Sequence, residues 1–337
     1  FRLQWILYFG LALGIVTCVF PYLALEIFEY LVLLVIIVVY RAMKRMNTKK
    51  KLVYTARVKR LLATELILTA AVFALVCGLG GMKRIPGLCL ILVSVNLFLD
   101  IVANVINHPM EAGINQHYIN DAVRKLKSVP GLTVIGVTGS YGKTSVKFYL
   151  QTLLQEKYNV LVTPESFNTP MGVVRTIRGS LKPTTEIFVC EMGARHVGDI
   201  KEICDMVHPD HGVITSIGPQ HLETFFNMEN IQKTKFELAD ALPEGGMLFL
   251  NGDNDYIQQQ AASPAYDQTP EKIFYYSETE GTGYCAKDVK VSQLGTEFTV
   301  VTPDGESERF QMRLIGAHNV INVVGAIAVA HRMGMTL

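Results

Sequence analysis

Up to about residue 110, apolar positions run together without alternating; beyond it they come in short β-branched runs separated by amphipathic segments. The two patterns predict different structures. Trp5 to Tyr40 holds only Glu26 and Glu29 as charged residues, and its 36 positions exceed a single membrane span of about 20. With Pro21 inside it, this stretch predicts two helices, 5–22 and 24–40. Leu66–Met82 and Ile85–Ile106 are two further apolar runs, joined through Lys83-Arg84-Ile85-Pro86-Gly87. Residues 1–110 are therefore expected to form an N-terminal bundle of three or four transmembrane helices. Helices buried in a soluble core are the alternative reading of the same runs.

Residues 41–60 carry nine Lys and Arg and no acid. The positive-inside rule places such a loop in the cytoplasm, against anionic head groups. Two crossings later, everything past His108-Pro109 falls on the same side. The expected location is thus a multi-pass cell-membrane protein whose second domain is cytoplasmic, with membrane lipids as partners.

For residues 111–337, candidate strands are Thr133–Thr138, Val160–Thr163, Glu186–Glu191, Gly212–Ser216 and Met247–Asn251. Between them lie predicted helices 143–156, 171–179, 197–206 and 229–241. This βα alternation predicts an α/β fold with a mostly parallel sheet and helices on both faces, and ligands at the carboxyl ends of the strands. Residues 272–314 read as shorter strands forming an antiparallel edge, and a last helix is expected over 318–334.

Charge sharpens the division. Residues 1–110 carry 12 basic and 4 acidic side chains, whereas residues 111–337 carry 19 and 26. An acidic second domain argues against nucleic acid as a partner, since phosphate backbones need a basic face. The six cysteines form no Cys-x-x-Cys pair, so neither a zinc site nor a disulfide framework is implied.

The first strand of the second domain runs directly into Gly136-Val-Thr-Gly139-Ser140-Tyr141-Gly142-Lys143-Thr144-Ser145. Glycines let main-chain N–H groups turn onto phosphate oxygens, and the following helix presents its N-terminal dipole. Lys143 can then reach terminal phosphates, and Thr144 can ligate Mg²⁺. The strict Walker pattern requires Gly where Val137 stands, so this is a variant P-loop. Glu191 closes the run Ile-Phe-Val-Cys, where a carboxylate faces the phosphates and can hold Mg²⁺. His221 follows another strand end, and Lys235 lies on a helix. Taken singly, a strand-end Glu, a loop His and a helical Lys are ordinarily solvated groups.

Taken together, Gly139-Ser-Tyr-Gly-Lys-Thr144, Glu191-Met-Gly-Ala194, Thr215-Ser-Ile-Gly-Pro-Gln-His221-Leu-Glu, Glu229-Asn-Ile-Gln-Lys-Thr-Lys235 and Gly316-Ala-His-Asn-Val-Ile-Asn322 resemble the central ATPase domain of the Mur ligases, over about residues 131–337. The likeness is greatest to the type that joins D-alanyl-D-alanine to UDP-N-acetylmuramoyl-tripeptide. It implies a bacterial, ADP-forming amide ligase in peptidoglycan synthesis that works through an acyl phosphate. By the same resemblance, Lys143 binds the β- and γ-phosphates, and Thr144 and Glu191 hold a first Mg²⁺. His221 and a carbamylated Lys235 serve a second ion. Asn319 and Asn322 contact the adenine, Asn168 meets the acceptor, and Asn251 and Asp253 lie near the nucleotide.

Three departures from the family pattern stand out. Membrane helices are expected where the family has its UDP-sugar domain, which opens a lipid-linked or other cell-envelope acceptor as an alternative to the UDP-linked one. The chain begins at Phe1 and stops at Leu337, before the family's C-terminal domain, so a truncation at both ends is expected. Tyr141 stands where the family often has a small polar residue. A membrane scaffold that binds nucleotide without catalysis is the reading from a different class.

Overall fold

The computed structural model describes residues 53–80, 85–263, 273–278, 283–314 and 319–337, with isolated positions 12, 15, 32, 35, 281 and 316. Two compact units divide the chain, Phe1–Gln116 and His117–Leu337.

In the first unit, α1 spans Ala56–Gly80, and α2, Ile85–Lys127, begins there and ends in the second. Polar positions interrupt both helices and serve to join them. Arg60 on α1 pairs with Glu111 on α2 at 2.7 Å. Thr64 donates to Asn107 Oδ1 at 3.1 Å. Among the described residues no helix is long and apolar enough to cross a membrane. This finding corrects the expected multi-pass membrane location, and with it the transmembrane bundle and the lipid partners. The runs 5–22 and 24–40, and residues 41–52 of the basic loop, lie outside the described residues.

The second unit is built on one nine-stranded sheet. In chain order the elements are β1 (Thr133–Thr138), α3 (Lys143–Leu154), β2 (Val160–Val162), α4 (Pro170–Ser180), β3 (Ile187–Glu191), α5 (Asp199–Val207), β4 (His211–Ile214), α6 (Leu222–Phe225) and α7 (Met228–Asp240). There follow β5 (Met247–Asn251), α8 (Asp255–Ala261), β6 (Ile273–Ser277), β7 (Tyr284–Ser292), β8 (Gly295–Val301), β9 (Ser307–Met312) and α9 (Val320–Arg332). The sheet order is β2-β3-β1-β4-β5-β6-β7-β8-β9. Strands β1 to β7 pair in parallel, and β8 and β9 extend the edge antiparallel. The antiparallel edge expected over 272–314 therefore starts later, since β6 still runs parallel to β5. The reason lies in α8, which intervenes between β5 and β6 as the crossover that a parallel pair requires; Tyr276 of β6 is in turn wholly buried beneath α9, where a Cβ on Gly325 would stand 2.8 Å from its ring. The covered part of the sheet continues as far as that helix reaches.

Side-chain alternation explains the two helical layers. Ile135 and Val137 of β1 and Ile187 and Val189 of β3 enter a core shared with α3 and α9. Val134, Phe188 and Cys190 point the other way, into a core shared with α4 and α5 and with Leu238 of α7. A Cβ on Gly136 would lie 2.6 Å from Leu238 Cδ1, so the side chain of α7 rests directly on the bare backbone of β1. This layering puts the ends of β1, β3 and β4 side by side, the place where parallel sheets bind ligands.

Candidate active site

Between β1 and α3 the chain turns on Gly139 (φ 149°) and Gly142 (φ 83°), both in the region open to glycine. A Cβ on Gly139 would collide with Thr215 Oγ1. The loop is fastened to the segment after β4: Ser140 N donates to Ser216 O at 2.7 Å, and Tyr141 N to Ser216 Oγ at 2.9 Å. Ser140 Oγ donates to Gly218 O at 3.0 Å and accepts from Gly218 N at 3.1 Å. The Ser140 and Tyr141 amides thus hold the loop's shape. The amides that open α3, from Lys143 onward, have no side chain capping them. Uncapped N–H groups at a helix start are the elementary anion cradle.

Lys143 folds over this cradle, its Nζ 2.6 Å from Gly139 O and 3.1 Å from Ser140 O. Burial lowers its ammonium's pKa, against the pull of Glu191. Tyr141 is exposed, and its ring lies over Gly218, where a Cβ would stand 3.1 Å from Cε2. The phenol therefore packs outside the cradle and takes no donor from it.

Glu191, at the end of β3, is the polar centre of the site and is 1% exposed. Thr144 Oγ1 lies 3.1 Å from both of its oxygens. Asn168 Nδ2 donates to Oε1 at 3.0 Å, and Lys147 Nζ lies 2.9 Å from Oε2. Asn168 is tied a second time, because its carbonyl accepts from Gly193 N at 2.8 Å. The glycine of the Glu-Met-Gly motif leaves room for the asparagine side chain, 2.8 Å from where a Cβ would be.

Lys235 projects from the buried face of α7. Burial, and after it the nearby Lys143 ammonium, pulls its amine down to about 7, while Glu237 and Asp199 oppose the shift. Glu237 is engaged elsewhere, accepting from Gly198 N at 2.7 Å and Lys201 N at 2.9 Å at the start of α5. His221 is exposed, in left-handed backbone at φ 56°, and its carbonyl accepts from Thr224 Oγ1 at 3.0 Å. Its imidazole has no partner among the described residues.

At the start of α9, Asn322 Oδ1 would lie 2.6 Å from a Cβ on Gly142, so this helix meets the loop directly. Asn319 accepts from Tyr149 OH at 3.4 Å. Asn251 Nδ2 donates to Thr215 O at 2.8 Å, and Asp253 Oδ2 accepts from Glu278 N at 2.6 Å. Both therefore brace the turns beside the site.

A strand-end carboxylate, a hydroxyl and a lysine converge on one glycine-turned helix start. Residues 137–330, more than half of the chain, match the family model described as the Mur ligase middle domain.

The chain belongs to the Mur ligase family.

It is 30% identical over 245 residues to the UDP-N-acetylmuramoyl-tripeptide--D-alanyl-D-alanine ligase of Escherichia coli, covering 70% of this chain and 52% of that one. Identity to the Bacillus subtilis enzyme of the same name is 35% over 209 residues, or 61% and 42% of the two chains. A crystal structure of MurF ligase from Thermotoga maritima in complex with ADP superposes with a TM-score of 0.57 at 28% identity, covering 66% of this chain and 50% of that one. The chain thus spans about half the length of the curated relatives it matches.

Within this Mur ligase framework the structure draws together Thr144, Asn168 and Glu191 through direct contacts, folds Lys143 over the loop within electrostatic reach of Glu191, and places Asn322 against Gly142. Lys235 comes within electrostatic reach of Lys143. His221 is not joined to them by any described contact. Sequence reasoning missed Lys147, whose signal was its position. It falls on the face of α3 that buries Val146, Leu150 and Leu154, where a charge needs a partner.

Proposed function

We propose that this chain is the ATP-binding part of an ADP-forming ligase of peptidoglycan precursor synthesis, which adds D-alanyl-D-alanine to a UDP-muramoyl-tripeptide. The observation that carries the reading is the contact of Thr144 Oγ1 with Glu191 at 3.1 Å, beside the uncapped start of α3.

The uncapped amides of α3 and the Lys143 ammonium hold the β- and γ-phosphates, so that charge developing during phosphoryl transfer is met by fixed donors. Mg²⁺ takes one or two protein oxygens and completes its shell with phosphate and water. Thr144 and Glu191 supply those two oxygens, and a bound ion there offsets phosphate charge. Asn168, tied to Glu191 at 3.0 Å, orients the acceptor carboxylate toward the γ-phosphate. The acyl phosphate formed with release of ADP is then attacked by the dipeptide amine, and phosphate leaves.

A second ion requires more of the chain. As an ammonium, Lys235 would repel it. An amine held at about 7 is substantially neutral at cellular pH, and a neutral amine can add CO₂ to give a carbamate and one proton. The carbamate form of Lys235, with His221 on the rim, would fit such an ion. Asn319 and Asn322, at the start of α9 beside the loop, would contact the adenine.

The test is single turnover of labelled ATP by the full-length protein. ADP should form once UDP-muramoyl-tripeptide is present, and the amide product with released phosphate only when D-alanyl-D-alanine is present as well. Tight ATP binding with no phosphate release on any muramoyl acceptor would replace the ligase reading by that of a nucleotide-binding scaffold.

A further inference from the structure

Lys147 is fully buried, on α3 one turn beyond Lys143. Its Nζ lies 2.9 Å from Glu191 Oε2 and 2.6 Å from the carbonyl of Glu165. Glu165 has φ 42°, a left-handed conformation in which a non-glycine residue persists only when its surroundings hold it. Asn168, three residues on, is itself bound to the other oxygen of Glu191. One ammonium therefore links the helix that opens the phosphate cradle, the strand-end carboxylate and the loop that carries Asn168.

The charge arithmetic at Glu191 follows from this geometry. A carboxylate buried to this extent needs a partner cation, and here the partner is built into the fold. A divalent ion arriving at Glu191 finds Oε2 already taken and a fixed positive charge a few ångströms away, which opposes it by Coulomb repulsion in a low-dielectric site. The same ammonium leaves the metal-free site folded and neutral.

We propose that Lys147 is a positioning residue: it is the standing counter-ion of Glu191, it holds the site's Mg²⁺ affinity down so that the ion exchanges with each nucleotide, and it locks residues 164–169 to the cradle. The inference rests on the reading that Glu191 and Thr144 hold Mg²⁺, and the experiment separates the two. Binding of a fluorescent ADP analogue to the full-length protein is titrated with Mg²⁺, alongside thermal unfolding with and without the ion.

Lys147→Gln, which keeps a donor for Glu165 O, and Lys147→Met should each lower the Mg²⁺ midpoint about tenfold. Both should unfold at lower temperature without Mg²⁺ and recover when it is added. Lys147→Arg should return the midpoint toward wild type. In Lys147→Met, amide hydrogen exchange over 164–169 should quicken at least tenfold, as expected when a local constraint is released. Thr144→Ala, at an exposed position, is the control and should raise the midpoint. If Thr144→Ala raises it while neither neutral Lys147 variant lowers it, the counter-ion role is wrong and the metal site stands. If Thr144→Ala leaves the midpoint where it was, the metal reading itself has failed. A Lys147 variant that Mg²⁺ does not restabilise also overturns the proposal.

Discussion

Asn322 approaches Gly142 so closely that its Oδ1 would lie 2.6 Å from a β-carbon there. The helix α9 and the phosphate loop are thus in contact through a hydrogen atom, and Gly142 also holds φ 83°. Gly142→Ala meets both obstacles, backbone strain and a side-chain clash. It should lower nucleotide affinity at least tenfold while costing only about 1–3 kcal/mol of stability. Calorimetric titration with ADP and Mg²⁺ checks the first effect, and denaturant unfolding the second. An alanine variant that binds ADP as wild type does would show that α9 need not seat against the loop.

Removing the charge of Lys143 should abolish turnover. Lys143→Ala loses a preorganised cation at the transferred phosphoryl group, an effect of 10²-fold or more on kcat by analogy with lost transition-state donors. Its ammonium is half-buried against loop carbonyls, so unfolding stability should change little by comparison. Pre-steady-state phosphate release measures the rate.

Glu191→Gln exposes the dependence of the fold on its own active site. The substitution strands the fully buried Lys147 ammonium, at a cost of about 3–5 kcal/mol typical of a broken buried pair. The double variant Glu191→Gln/Lys147→Met removes both charges and should regain most of that loss. A double-mutant cycle by urea denaturation gives the coupling directly, and additive losses would contradict it.

The Lys235 amine, pulled down to about 7 from its ordinary 10.5, makes a pH prediction with a definite sign. Between those values the unfolded chain binds a proton that the folded chain does not, so folding stability gains as pH rises through the window. Below about 7 both states are protonated and the burial penalty is fully present. In CO₂-free buffer, the urea midpoint of wild type should climb from pH 7 to about 9 relative to Lys235→Met. With bicarbonate added, wild type should gain a carbamate visible by ¹³C NMR. Turnover of Lys235→Ala should be partly restored by short carboxylic acids, and a variant as active as wild type without them would remove the lysine from the site.

Much of this was legible in the chain. The strands Thr133–Thr138 and Met247–Asn251 coincide with expectation to the residue, because Gly139 and the Asn-Gly-Asp turn punctuate them sharply. The order of the helices followed from the same βα alternation. Partner choice was not legible. That Ser216 takes the Ser140 and Tyr141 amides, or that Lys147 rather than solvent faces Glu191, depends on contacts between residues 44 to 76 positions apart. The parallel pairing of β6 depended on the crossover helix α8, a seven-residue element absent from the predicted ones. The apolar runs at Leu66–Met82 and Ile85–Ile106 were read as membrane spans from their length, whereas no helix among the described residues is long and apolar enough to cross a membrane, and the polar pairs that join the two helices lie just outside the runs. Arg60, Thr64, Asn107 and Glu111 face one another across two helices.

The bare α-carbon at position 136 shapes a contact beneath a residue far along the chain. Leu238 rests on it, and Lys235 sits one turn earlier along the same buried stripe of α7. A methyl group there would stand 2.6 Å from the tip of Leu238 and 3.0 Å from Met192 Cε, so both side chains would have to turn aside. The bed under the distal amine can thus be disturbed from the middle of a strand without any ligand being touched.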